Sequence, residues 1–142
     1  MIERVTFVSC VKQKSTSATQ AKSLYISDFF LKMRKYAESR EHPWYILSAK
    51  HGLVHPESII EPYEKTLTKM AAQDQRAWAY DVLAQIQEEL PDLSHATFLA
   101  GNDYRRHLVP KLSELGVHIE IPMDGLRIGF QKQWLKAKLR SE

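Results

Sequence analysis

The chain is richest in chemistry where Trp44-Tyr45-Ile46-Leu47-Ser48-Ala49 gives way to Lys50-His51-Gly52. An apolar run that ends in a cation, an imidazole and a turn residue reads as a buried strand delivering reactive groups to one end of a sheet. Lys50 suits a phosphate or carboxylate, His51 moves protons near neutral pH, and Gly52 lets the backbone turn sharply. Ser48 closes the same run. Other runs end in a similar way: Ser9, Cys10, Lys12 and Lys14 follow the first, and Gly101, Tyr104 and Arg105 follow the third. Glu61 and Tyr63 stand in a Pro- and Glu-rich stretch between them. Placed together, the cations would hold an anion and Glu61 would act as a base or accept a hydroxyl. Tyr104 would stack on a base, and Arg105 would pair with phosphate or carboxylate.

Each group also has a plainer reading. Lys12 and Lys14 read as solvated loop charges, and Glu61 as a solvated carboxylate. Cys10 reads as a small buried hydrophobe, a nucleophile only if a neighbouring cation or helix terminus lowers its pKa. Tyr104 reads as core. The Lys50-His51-Gly52 triplet is the one that packing explains least. Familiar catalytic loops are absent: there is no Gly-x₄-Gly-Lys phosphate loop, no Gly-x-Gly-x-x-Gly fingerprint and no Gly-x-Ser-x-Gly elbow. Cys10 does not head a Cys-x₅-Arg phosphatase loop, because Thr16 and Ser17 occupy the positions that matter. The histidines lack metal-ligand spacing, so neither a metal nor another cofactor is expected.

These residues need a scaffold, and 142 residues with 44% hydrophobic and 26% charged composition suit one globular domain, 1–142. A single cysteine excludes an internal disulfide and fits a reducing, cytoplasmic setting. The first residues do not read as a secretory signal, and no apolar stretch approaches a membrane span. A net charge of +3 is mildly basic and admits nucleotide or nucleic-acid ligands.

Four strands are predicted: Arg4–Ser9, Trp44–Ser48, Ala96–Ala100 and the alternating Val117–Ile121. Helices are predicted at Asp28–Arg40 with Ser27 as N-cap, from a Thr68 cap to about Leu90, over Asp103–Leu115, and from Ile128 to Leu139. Pro110 kinks the third of these or moves its start to about Val109. Strand and helix alternate four times, which implies crossovers. The expected fold is therefore α/β, a three-layer α/β/α sandwich with a mainly parallel four-stranded sheet. Leu53–Leu67 is the longest irregular stretch. In such a sheet, ligands bind beyond the carboxyl ends of the strands, where the groups that follow the strands fall; Glu61, in the long loop with Tyr63, joins them if that loop folds back over the sheet edge.

The chain also resembles a family of small, largely uncharacterised bacterial, archaeal and phage proteins. The resemblance is carried by Val8-Ser9-Cys10-Val11-Lys12-Gln13-Lys14, Leu24 through Phe30, Trp44 through Val54, Glu61 through Leu67, Leu99 through Pro110, and Gly125 through Leu135. Family members often carry Gly where this chain has Val11. The resemblance implies no established activity. In layout, a short parallel sheet with polar loops at one edge, the chain is loosely similar to the uracil-DNA glycosylase superfamily.

The expectation is an enzyme acting on a nucleotide, nucleoside or nucleic-acid base, with N-glycosidic bond chemistry as one option. Lys50 and Arg105 would hold phosphate, His51 would act as acid or polarise the leaving base, and Glu61 would orient water or a ribose hydroxyl. A non-catalytic nucleotide or nucleic-acid binding module is the alternative, and a protein-partner module, using exposed aromatics in Leu53–Leu67 or the final basic helix, is a further one.

Overall fold

The computed structural model describes residues 2–10 and 14–140. In chain order the elements are β1 (Arg4–Ser9), β2 (Thr19–Gln20), α1 (Ala21–Leu24), α2 (Asp28–Ser39), β3 (Trp44–Ser48), β4 (Gly52–Val54) and β5 (Ile59–Ile60). A 3₁₀ turn (Leu67–Lys69), α3 (Ala72–Glu89), β6 (His95–Leu99), α4 (Asn102–Arg105), α5 (Leu108–Glu114), β7 (His118–Glu120) and α6 (Ile128–Arg140) follow. The main sheet has five strands in the order β4-β3-β1-β6-β7. All its neighbours are parallel except β3 and β4, which pair antiparallel. Helix α2 packs on β1 and against α6, while α3 packs on β4, α5 on β7 and the two against each other, giving the three-layer α/β/α arrangement.

The strongly patterned elements form where the sequence places them. β1 and β3 match their predicted bounds because both are continuous apolar runs buried on both faces. Phe7 and Phe98 stand opposite each other in the β1–β6 register and stack with centroids 5.2 Å apart. Ser27 caps α2, its Oγ accepting from the Phe30 N–H at 3.1 Å.

Five expectations need correction. The sheet has a fifth strand: β3 reverses through Ala49-Lys50-His51 into β4, so Lys50 and His51 sit in a hairpin turn rather than at the start of a long loop. The third strand runs one residue earlier, over His95–Leu99, and the fourth is shortened to His118–Glu120. Thr68 does not cap α3, which starts at Ala72; its hydroxyl donates instead to Asp103 Oδ2 at 3.0 Å, and residues 67–69 form a 3₁₀ turn. The predicted helix over Asp103–Leu115 breaks into α4 and α5, with Pro110 in the first turn of α5, where its missing N–H has no helical partner to lose. Among the described residues, no helix is long and apolar enough to cross a membrane.

Candidate functional site

The connection after β1 leads to β3 on one side, and the connection after β6 leads to β7 on the other. The carboxyl ends of β1 and β6 therefore flank a switch point, the usual place for a ligand crevice. Here that crevice is plugged. Cys10, just beyond β1, and Tyr104, in α4 beyond β6, hydrogen-bond across it with Sγ and Oη 2.9 Å apart. Both are 8% exposed, and Trp78 packs edge-on against the Tyr104 ring at 5.4 Å. Cys10 is thus a buried, partnered group, and the Tyr104 ring lies in the core rather than offering a face to a base.

Next to the plug lies a chain of hydroxyls. Ser48 Oγ accepts from the backbone N–H of His51 at 3.1 Å and of Lys50 at 3.3 Å. With both lone pairs engaged, its own proton goes to Tyr63 Oη, 2.7 Å away. Tyr63 in turn donates to Tyr25 Oη at 2.6 Å. Ser48 and Tyr25 are fully buried. Burial first, and then the Cys10 sulfur, push the hydroxyls of Tyr25, Tyr63 and Tyr104 well above the ordinary tyrosine value. All three stay protonated at neutral pH and act as hydrogen-bonding groups, not as bases.

Tyr63 carries this buried network to the surface. The Lys14 ammonium lies 4.5 Å from its ring centroid and 5.8 Å from that of Tyr25. The His51 imidazole meets the Tyr63 ring edge-on at 5.5 Å. Lys14 is set in place by an antiparallel bridge to Tyr25 and by the Ser15 N–H donating to Leu24 O at 2.7 Å. Burial lowers the pKa of Lys14, with Cys10 and Glu64 opposing. Burial, then the neighbouring Lys50, lower that of His51. The His51 ring nitrogens make no hydrogen bond among the described residues.

Two adjoining clefts open here. One, about 280 Å³, is lined by Lys14, Tyr63, Glu64, Lys65, Thr66 and Lys69. The other, about 450 Å³, has Lys50, Lys65, Met70 and Trp78 in its wall together with Asp74 and Asp81. Lys65 belongs to both. Three lysines against one glutamate make the first cleft the one suited to an anion, whereas two aspartates balance the lysines of the second.

The hairpin turn bearing Lys50 and His51 is clamped from α3. Gln85 Oε1 accepts from the Leu53 N–H at 2.9 Å, and its Nε2 donates to His51 O at 3.3 Å. Trp78 Nε1 donates to Ser48 O at 2.9 Å. Gly52 has φ +73°, and a Cβ there would run into Gln85 Oε1 and Val82. Gly52→Ala should therefore cost about 1–3 kcal/mol in urea unfolding. Gln85→Ala removes the obstruction, so the double variant should lose measurably less than the two single losses added together. Full additivity would show that the clamp does not act on the turn.

The structure gathers some of the expected residues and separates others. Lys14 and Tyr63 line the first cleft, and His51 meets the edge of the Tyr63 ring beside it. Lys50 lines the second, and Ser48 and Gly52 support the turn from beneath. Ser9 is buried at the end of β1. Gly101 is exposed, with an ordinary φ of −66° and open space where a Cβ would be. Arg105 is held by Asp124 at 3.1 Å, its side chain 18% exposed, so it is not a free phosphate clamp. Glu61 is exposed and makes no hydrogen bond or ion pair among the described residues, although Tyr63, two positions on, is buried. Lys12 lies outside the described residues. Sequence reasoning missed Lys65, Lys69, Trp78 and Gln85. The run Glu64-Lys65-Thr66 beside Tyr63 was a signal for the first. Nothing local marks Gln85, whose role comes from α3 packing on β4. Among the described residues, no group of three His, Cys, Asp or Glu side chains is placed to hold a metal ion.

A protein family described as a family of unknown function, DUF6884, matches residues 5–137. The uncharacterized protein YfjM of Bacillus subtilis (strain 168) is 27% identical over 143 residues, spanning 94% of this chain and 93% of that protein. No solved structure matches the chain.

Proposed function

The chain belongs to this family of unknown function, and from its site we propose that it is an enzyme acting on a nucleotide, nucleoside or nucleic-acid base at the carboxyl edge of the sheet. The observation that carries the reading is the first cleft: Lys14 over the Tyr63 ring, His51 at the edge of the same ring, and Lys65 and Lys69 completing the wall. The lysines hold the phosphate and His51 works beside it. Its lowered pKa leaves His51 neutral at pH 7, so it takes a proton rather than supplying one. Trp78, Gln85 and Ser48 are positioning residues, holding the turn that presents His51.

N-glycosidic hydrolysis is the reaction that suits this arrangement. Water adds at the sugar's anomeric carbon and loses a proton to His51. The C–N bond breaks, and the base leaves with its electrons and takes up a proton. Glu61, exposed as it stands, is the less favoured partner in this step. The test is chromatography of nucleosides, nucleotides and short oligonucleotides after incubation with the protein. Release of a free base from one class is the expected result. Intact ligands throughout, with binding retained, would make the domain a non-catalytic binding module.

A further inference from the structure

A second cationic feature lies outside the site, in the groove where α6 packs against α2. This groove, about 290 Å³, is lined by Lys32, Lys35, Lys136 and Arg140 over an apolar floor of Leu31 and Leu139, with Asp28 as its one carboxylate. Asp28 is already taken: Lys32 Nζ contacts both of its oxygens, at 2.6 and 2.7 Å. That hydrogen bond foremost, with the charges of Lys32, Lys132 and Lys35, holds the Asp28 carboxyl below its usual range. Four cations against one carboxylate leave the groove with the same +3 that the whole chain carries. The other acid of α2 facing a cation, Glu38, is paired with Arg34 at 3.3 Å, and α6 contains no acidic residue.

The groove is linked to the site along the chain. Asp28, at its rim, is three positions from Tyr25, whose hydroxyl belongs to the network under the first cleft. Three residues span at most about 11 Å. A mononucleotide held at Lys14 and Lys65 brings one phosphate group, whereas a strand carries phosphates at regular intervals and can serve both sets of cations.

We infer that the α2–α6 groove binds the sugar–phosphate backbone of a polynucleotide, so that the substrate of the site is a base carried in a nucleic-acid strand rather than a free nucleotide. This rests on the reading of the site given above, but it is separable from it. Phosphate interactions of this kind are independent of sequence and weaken steeply with salt.

The experiment is fluorescence anisotropy with a labelled single-stranded DNA of about 16 nucleotides, the upper end of common single-strand site sizes. Salt is varied from about 50 to 200 mM. The wild type is compared with Lys35→Ala/Lys136→Ala, both exposed, and with His51→Ala. The groove variant should bind on the order of tenfold more weakly at low salt, and its log–log salt slope should fall by about 1.4, roughly 0.7 for each phosphate no longer neutralised. His51→Ala should keep the wild-type slope, and the groove variant should keep any binding of mononucleotide. Equal affinity and slope in wild type and groove variant would overturn the inference. So would binding to phosphatidylserine vesicles or polyglutamate with none to the oligonucleotide. Mononucleotide binding without oligonucleotide binding would sink the groove and leave the site reading standing. Groove-dependent binding with no His51-dependent turnover of any ligand would do the reverse.

Discussion

His51→Ala should lower turnover of the accepted nucleotide or base about 10²- to 10⁴-fold, the range that a positioned acid–base group supplies, while ligand affinity changes little. The His51 ring touches Tyr63 edge-on and has no hydrogen-bonded partner among the described residues, so its removal leaves the buried network intact. The accompanying pH profile carries a sign. Burial, then Lys50, hold the imidazole below its ordinary value of about 6.5. A base must be neutral, so activity should be flat above that value and fall as the pH drops through the lowered pKa. Lys50→Ala removes a repelling charge and should move this acidic limb upward. A limb that does not respond to Lys50→Ala, or full turnover without His51, would remove the imidazole from the mechanism.

Trp78→Ala should cost about 3–5 kcal/mol in urea unfolding, the usual range for truncating a buried tryptophan. The ring is 7% exposed and packs on Tyr104 at 5.4 Å. Its N–H also satisfies the buried carbonyl of Ser48 at 2.9 Å. Trp78→Phe separates the two contributions: it keeps most of the buried area but leaves that carbonyl without its donor, at about 1–3 kcal/mol. Ser48 holds the N–H groups of Lys50 and His51 through its side chain. The Phe variant should therefore also weaken ligand binding at the clefts beyond its effect on stability. Unfolding energies of Trp78→Ala within about 1 kcal/mol of wild type would mean that α3 does not support the end of β3.

What the sequence disclosed follows from where its signals are local. β1, β3 and α2 were legible because an unbroken apolar run, or a capped amphipathic run, dictates its own structure whatever packs on it. β4 was not: Gly52-Leu53-Val54 is too short to show a period, and only its pairing with β3 makes it a strand. Thr68 has the look of a helix cap, yet its hydroxyl is taken by Asp103, a partner 35 positions away. The same distinction runs through the site. Lys14, Tyr63 and His51 were found because each sits beside a strand end or a turn. Arg105 was placed at the correct edge, but its neutralisation by Asp124 comes from a loop 19 positions on. Lys65 and Lys69 became a cleft wall only when residues 63–69 folded against Lys14.

An anion site in the Lys14–Lys65–Lys69 cleft is probed most directly by a thermal-shift screen with nucleoside monophosphates, nucleosides and free bases. The screen compares wild type with Lys65→Ala, an exposed residue whose loss spares the core. A ligand at about 100 times its Kd stabilises the native state by about 2.7 kcal/mol. For a domain of this size that is a rise of several degrees in Tm. Such a rise is expected with a phosphate-bearing nucleotide, and a much smaller one in the variant. An equal rise in both proteins, or one given only by uncharged ligands, would contradict the anion site.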